Sequence, residues 1–490
     1  MQGGRKLTRR QALIVTFCLL TGFFATAHPV LDPDTFWHLS VGRQILVNRT
    51  VYFEDTFSFT HTALWVNVQW LAQIILFLVY DFSGIIGLEA FALLLKVTIF
   101  IILFLALDGP PLTRAWLTLL ASVLAYPVIS GARPQLFSYL FLAFLSLWFR
   151  QLRGGDSRPP WWLPLLFLLW SNLHSFYPIG LGLIGIFLMG DWLNRRFALS
   201  PTLSPRLIRP LIIILIVSIL ACLVTPFGPF AFYQVLKNIF QSAGLPIEEW
   251  RPIAQSGHPV SLFFGVFIVL WVAAASLTPK KPDASELGFG ALLTLAALSG
   301  IRMVGLWAIM MSPFLSEHIH FWTARGQTAP PKWIPNAFLA VAVILAMLVI
   351  LTKLSPHEYQ RAEQKEYPQR AIAHLQSLQR EGTLSNPIRC LTAYHWGGYV
   401  SWRLYPKAKV FVDGRADYYP RTVMQDYLQL HGGQPRWRSL LTKYQVDAVL
   451  LPPKYPLASL LRTQKERWVR VYADKTAVLF VRRDERRATK

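Results

Sequence analysis

Apolar runs recur through the first 350 or so residues at the length a bilayer demands. They fall at 11–30, 67–80, 84–107, 114–130, 134–150, 161–176, 178–191, 207–226, 261–278, 287–301, 303–316 and 335–352. A helix needs about 20 mainly apolar residues to cross a hydrocarbon core of roughly 30 Å, so the pattern predicts a polytopic α-helical membrane protein. After Lys353 the pattern changes. Pro368 to Arg380 has helical periodicity, Pro387 to Ala393 is extended, and Trp396 to Leu404 is a helix opened by glycine. Lys409 to Val412, Asp447 to Leu451, Val469 to Ala473 and Ala477 to Arg482 have the β-branched character of strands. The expected organisation is a membrane domain over 1–352, carrying a first outer loop at 31–66, and a small soluble α/β domain with a mixed sheet over 353–490.

Charge sets the orientation. Cytoplasmic flanks are rich in Lys and Arg, and cations cluster in the leader (Arg5, Lys6, Arg9, Arg10) and in the loops at 150–158, 192–209 and 279–283. With these inside, Asn172-Leu173-His174, Pro226-Phe227-Gly228, Glu248-Glu249-Trp250 and Arg302 face outward. The C-terminal domain is then extracytoplasmic. The stretch between Trp65 and Arg150 must supply an odd number of crossings, and its weakest run, 67–80, is short and has Asn67 and Gln69 at its start. We take it as a partial or interfacial helix, which leaves about eleven transmembrane helices. The first segment ends in Ala25-Thr26-Ala27 like a secretory signal, and is expected to remain as an uncleaved anchor.

The chain is 53% hydrophobic and 15% charged, with 33 Phe and 18 Trp in 490 residues, more apolar surface than one soluble core can hide. Its net charge of +22 invites a nucleic-acid reading, but the cations sit in short loops and no basic face interleaves with aromatics. Membrane lipids, not nucleic acid, are the expected partners. Cys18, Cys222 and Cys390 are too few and scattered for a disulfide framework or a zinc site.

The chemistry-bearing residues begin just behind the first segment. Asp32 and Asp34 lie in an acidic loop where the chain leaves the membrane, and carboxylates at such a place are costly and tend to be functional. Asp34 is the candidate catalytic base, with Asp32 as the alternative. Their spacing across Pro33 also suits a divalent ion completed by water, although an N-cap for the helix that follows explains an aspartate equally well. Phe36, Trp37, Leu39, Ile45 and Leu46 interleave with His38, Arg43 and Gln44 as in a short amphipathic helix lying in the interface. Glu54 and Asp55 form a second acidic patch, able to orient the loop or to bind acceptor or metal. Arg133 and Arg302 interrupt apolar sequence at expected outer span ends, where a guanidinium can fork onto phosphate or merely snorkel. His174, in a span broken before Pro178, could touch a sugar or be a satisfied core histidine; His38 carries the same pair of readings. Glu248 and Glu249 are weaker candidates. In the C-terminal domain Asp413-Gly414-Arg415 ends a strand, with Asp417, Tyr418 and Tyr419 behind it, and is read first as a turn closed by an Asp413–Arg415 pair.

Asp34-Thr35-Phe36-Trp37-His38-Leu39 with Gly42-Arg43, Asp55-Thr56-Phe57-Ser58-Phe59-Thr60, Ala132-Arg133-Pro134-Gln135, Trp170-Ser171-Asn172-Leu173-His174, Trp396-Gly397-Gly398-Tyr399 and Asp413-Gly414-Arg415 together carry a resemblance. In these motifs and in layout, the chain resembles GT-C superfamily membrane glycosyltransferases of the bacterial protein-mannosyltransferase-like and aminoarabinose-transferase-like group. The resemblance implies inverting sugar transfer from a polyprenyl-phosphate-linked donor to a lipid, glycan or protein acceptor, at the outer face of a bacterial cytoplasmic membrane. No cofactor is implied with certainty beyond a possible divalent metal ion. A transporter or flippase for lipid or polysaccharide is the rival reading, but no internal duplication is visible. A non-catalytic membrane assembly factor is the third.

Overall fold

Helices dominate because the apolar runs have no other way to satisfy their backbone polar groups in lipid. The computed structural model describes residues 9–26, 32–51, 54–156, 158–199, 202–241, 248–325, 355–382, 384–416 and 418–483. The last apolar run at 335–352, the leader before Arg9, residues 27–31 and Asp417 lie outside the described residues. In chain order the helices are α1 (Arg9–Thr26), α2 (Pro33–Asn48), α3 (Trp70–Ala106), α4 (Pro111–Ile129), α5 (Gln135–Arg153), α6 (Leu163–Leu173), α7 (Tyr177–Arg196), α8 (Pro205–Ala221), α9 (Pro229–Gln241), α10 (Ile253–Ser256), α11 (Val260–Leu277), α12 (Ala284–Ser299) and α13 (Val304–Arg325). Then follow α14 (Pro356–Glu366), α15 (Gln369–Arg380), α16 (Gly397–Leu404), α17 (Arg421–His431), α18 (Trp437–Lys443) and α19 (Pro456–Thr463). The strands are β1 (Ile388–Thr392), β2 (Ala408–Val410), β3 (Ala448–Leu451), β4 (Trp468–Ala473) and β5 (Val478–Arg482).

Two compact units result, and they do not follow a linear division at residue 352. One groups Met1–Val30 with Ile85–Leu354; the other groups Leu31–Gly84 with Ser355–Lys490. The acidic outer loop therefore packs with the C-terminal segment, not as an appendage of the helical bundle.

In the helical unit, small residues let helices approach closely. A Cβ on Gly305 of α13 would lie 2.9 Å from the Ala125 backbone of α4, and one on Gly190 of α7 would lie 2.3 Å from Ser285 Oγ of α12. Dispersion at such close crossings replaces the hydrophobic drive that lipid removes. Among the described residues α3, α4 and α11 are long and apolar enough to cross a membrane, while α6 and α12 are apolar but shorter. Helix α11 bares Leu262 (72% exposed), Val269 and Leu277, a face that is stable only against lipid. This is a membrane protein.

Gly84 interrupts α3 at φ 66° and ψ −166°, a conformation open essentially to glycine alone. The break at Gly84 falls between the end of the 67–80 run and the apolar run at 84–107. Gly84→Ala should cost about 1–3 kcal/mol, because a Cβ is strained there even though no neighbour lies within reach. Thermal unfolding of the detergent-solubilised chain measures this; an unchanged midpoint would show that the break does not depend on glycine.

In the other unit the sheet runs β2-β1-β3-β5-β4, parallel through β2, β1 and β3 and antiparallel through β3, β5 and β4. A mixed sheet was expected, and each strand read from the sequence lies within two residues of an observed one. Helices α14, α17, α18 and α19 were not anticipated. Helix α2 departs from expectation over its first turns: Thr35 to Gly42 are buried without interruption, so every face is covered there, while Leu46, Val47 and Asn48 at its end are exposed. Its opening half is internal. The one-sided amphipathic reading fails because His38 and Ser40 are buried with polar partners, not turned to solvent.

Candidate functional site

Helix α2 starts where its sequence says it should. The Asp32 carboxylate accepts from the Asp34 backbone N–H at 2.9 Å, and Pro33 fills the first turn, where a missing N–H costs nothing. Capping therefore falls to Asp32, and Asp34 is left for another task. Its Oδ1 accepts from Trp37 Nε1 at 3.0 Å, one turn along, which fixes the direction of the carboxylate.

The glycine motifs of the C-terminal segment converge on this turn. A Cβ on Gly414 would lie 2.2 Å from Asp34 Oδ1 and 2.6 Å from Trp37 Nε1. One on Gly398 would lie 3.1 Å from the Pro33 carbonyl and the Trp37 backbone, and one on Gly397 2.3 Å from the Val412 carbonyl. These positions are glycine so that backbone can lie directly against Asp34 and its supports. Beside them Phe36 meets Tyr367 and Tyr399 edge-on at 5.1 and 4.8 Å, and the two tyrosines stack at 4.4 Å. Tyr399 donates to Glu363 Oε1 at 2.7 Å, and Trp396 Nε1 donates to the Glu366 carbonyl.

A second device holds the loop. Residues 57–59 run parallel to β2, with Phe59 N–H donating to the Val410 carbonyl and Val410 N–H to the Phe57 carbonyl, so the sheet edge is covered. Asp55 accepts from the backbone N–H groups of Phe57 and Ser58, from the Ser58 hydroxyl, and from Arg415 Nη1 at 2.9 Å. Arg415 also forks onto Asp413, with Nε to Oδ1 at 2.9 Å and Nη2 to Oδ2 at 2.7 Å. All three side chains are essentially inaccessible, and the guanidinium sits among the rings of Phe57, Trp65, Tyr418 and Tyr419. Burial alone would disfavour its charge, but Asp413 and Asp55 more than offset this and push its pKa well above the usual value. The expected Asp413–Arg415 pair is present; what the sequence did not disclose is its third member. Asp55 orients the loop and is committed to that role. Glu54 is exposed, bridging to Leu64.

His38 is buried, its Nδ1 facing Gln73 Nε2 at 3.3 Å, and Gln73 accepts in turn from Asn67 Nδ2. Gly42 lies against the Gln73 carbonyl, where a Cβ would come within 2.2 Å. His38 is thus part of the α2–α3 packing.

In the helical unit a separate cluster gathers Arg133, Glu249, Trp250, Arg302, Phe176 and His174. Arg133 Nη1 pairs with Glu249 Oε1 at 2.8 Å. The Arg302 guanidinium lies 4.9 Å from the Trp250 ring and 5.1 Å from the Phe176 ring, and Phe176 in turn meets the His174 ring edge-on at 4.5 Å. Ser138 Oγ accepts from Trp170 Nε1 at 2.6 Å and can then give its single proton to His174 Nδ1 at 2.7 Å. In that tautomer the ring proton is on Nε2, and Nε2 is buried without a hydrogen-bond partner. The loops expected to be cytoplasmic gather elsewhere: Arg153 pairs with Asp283 and Glu317, Lys280 with Glu317, and Asn194 accepts from the Ala284 N–H.

Trp37, Gly414, Gln73, Trp250 and Phe176 were not singled out as functional. Only Gly414 and Trp37 carried a signal, as members of noted motifs. Among the described residues no three His, Cys, Asp or Glu side chains converge as metal ligands.

This architecture defines a class. No protein-family model and no curated protein matches the chain. Its fold is similar to the archaeal oligosaccharyltransferase AglB from Archaeoglobus fulgidus, solved with an inhibitory peptide and a dolichol-phosphate, at TM-score 0.57 and 11% identity over 91% of this chain and 69% of that one. It is also similar to the arabinofuranosyltransferase AftD from Mycobacteria, at TM-score 0.53 and 12% identity, covering 99% of this chain but 40% of that longer one. The likeness is one of fold: the chain is built like these two membrane glycosyltransferases.

Proposed function

We propose that the protein is an inverting glycosyltransferase that moves a sugar from a polyprenyl-phosphate-linked donor to an acceptor at the outer face of a bacterial cytoplasmic membrane. The observation that carries this reading is the convergence of Gly398 and Gly414 on the turn that presents Asp34, with Gly397 seated against the Val412–Asp413 backbone that leads into Gly414. A surface carboxylate needs no such construction. The fold supports it, and AglB was solved with a dolichol-phosphate.

In the proposed reaction Asp34 accepts the proton of the acceptor hydroxyl as its oxygen bonds to the anomeric carbon. The bond from that carbon to the phosphate oxygen breaks, and polyprenyl phosphate leaves. Arg302, flanked by Trp250 and Phe176, supplies charge to the phosphate, with Arg133 as a second cation held by Glu249. His174 Nε2 can donate to a sugar or phosphate oxygen. A divalent ion, where used, would be held by Asp34 and Asp32 and would polarise the leaving group. About eleven crossings with the C-terminal domain outside belong to the same proposal.

Reconstitution in proteoliposomes with defined polyprenyl-phosphate sugars tests it. Transfer should require the polyprenyl phosphate; failure with every donor, in vesicles where the protein is folded, would end the reading. Arg302→Ala should raise donor KM by roughly 10- to 100-fold, the worth of a hydrogen bond to a charged group, with a smaller effect on kcat. Unchanged donor affinity would remove the phosphate role.

A further inference from the structure

The α/β unit has a topological switch point that the transfer reaction leaves unused. Strand β1 has parallel neighbours on both sides: the chain leaves it through α16 to β2, then returns past it through α17 and α18 to β3. Open α/β sheets bind ligands where the order reverses in this way, outside the carboxyl ends of the strands. Tyr394 and His395 leave β1 there, and Lys454 and Tyr455 leave β3. His431, at the end of α17, meets Tyr455 at 4.2 Å and Tyr427 at 6.0 Å, and Tyr427 meets Tyr394 at 6.4 Å, so one row of rings joins the two strand ends.

His395 and Lys454 are exposed, while Tyr394, His431 and Tyr455 are half-buried, so the row is open to solvent. Among the described residues none of His395, His431 and Lys454 has a carboxylate partner within ion-pair distance, although the chain places carboxylates beside Arg415, Lys443 and Arg482. Burial first, then the charges of Lys454 and His431, hold the His395 pKa below its ordinary value, and burial lowers that of His431, so both rings are neutral N–H donors beside the Lys454 ammonium at neutral pH. Two further donors have no side-chain partner. Thr392 Oγ1 is buried at the carboxyl end of β1 with no hydrogen bond, and α19, which opens on Pro456 behind Tyr455, has Leu457 as its first N–H with no side-chain cap.

We infer that the carboxyl ends of β1 and β3 form a binding site for an anionic saccharide, with His395, His431 and Lys454 meeting a phosphate or carboxylate and the Tyr394 and Tyr455 rings meeting the sugar. The Lys454 cation and the imidazole N–H donors of His395 and His431 select the negative group. Amphipathic rings with exposed faces suit the C–H surface of a sugar. The site is separate from Asp34 and does not require that the protein transfer sugar.

Calorimetric titration of the full chain in detergent, with no donor lipid present, tests the assignment. Glucose 1-phosphate and glucuronate should bind saturably, and glucose at least ten times more weakly. The double variant His395→Ala, Lys454→Ala should weaken both anionic sugars by tenfold or more; these side chains are exposed, so folding should be retained. Asp34→Asn should bind like wild type, which separates this site from the proposed catalytic one. Absence of saturable binding, or wild-type affinity in the double variant, would overturn the assignment. Inorganic phosphate binding as tightly as glucose 1-phosphate would overturn its saccharide part.

Discussion

Asp34→Asn is expected to leave a folded protein whose transfer rate has fallen by about 10²–10⁴-fold, the usual contribution of a positioned general base. The substitution is nearly isosteric. An asparagine oxygen can still accept from Trp37 Nε1, and the cap on α2 is Asp32, which is untouched. Helix α2 should therefore start where it does now, and donor KM should change little. What is lost is a group able to hold the acceptor's proton. Single-turnover transfer in proteoliposomes gives the rate, and a thermal midpoint within a degree or two of wild type confirms that the fold is intact. An Asn variant that transfers within tenfold of wild type would strip Asp34 of its role. Asp32→Asn is the internal comparison: Asn caps helices as well as Asp, so the rate should fall far less.

Arg415→Ala should destabilise the α/β unit by about 3–5 kcal/mol, the cost of removing one partner from a buried ion pair. Two carboxylates, Asp55 and Asp413, would be left in a dry site among aromatic rings. Hydrogen exchange followed by mass spectrometry is the suitable readout, because a chain of two units does not unfold in one step. Protection of the β1, β2 and β3 amides should drop by roughly 100- to 1000-fold or more, and residues 54–65 should exchange freely once their anchor is gone. A drop of less than tenfold would show that the triad is not what secures the loop. Arg415→Lys should restore little, since one ammonium cannot reproduce a fork onto Asp413 together with a bond to Asp55. The raised pKa of Arg415 means that its contribution is complete below the unfolded guanidinium value and lapses only as pH rises through the still higher folded one. No loss is expected through the neutral range.

Much of the architecture was legible before the structure. Strands β2, β3, β4 and β5 show in the β-branched runs and β1 in an extended one, and α15 and α16 in periodicity and an opening glycine pair. The short helices α17, α18 and α19 escaped because they are only 7 to 11 residues long. Patterns so short carry little periodic signal, and their helicity comes from tertiary packing. Among candidate residues, Asp32 and Asp34 were found by position but their duties could not be divided. The division rests on which carboxylate reaches which N–H. Asp55 was read as orienting the loop or binding acceptor or metal, but its partner was not legible, because burial against Arg415 is a contact across 360 positions of chain.

Sequence alone determined that the chain lives in a membrane, that a mixed α/β segment follows, and which short motifs carry charge and glycine. Those are properties of composition and local period, and local period survives without knowing where the chain goes next. Tertiary structure alone decided that the acidic loop belongs with the C-terminal segment, that the opening half of α2 is internal, and that glycines near 398 and 414 lie on the Asp34 turn. Close approach of two backbones leaves no trace in either segment by itself: a glycine reads the same whether it frees a turn or makes room for a carboxylate hundreds of residues away.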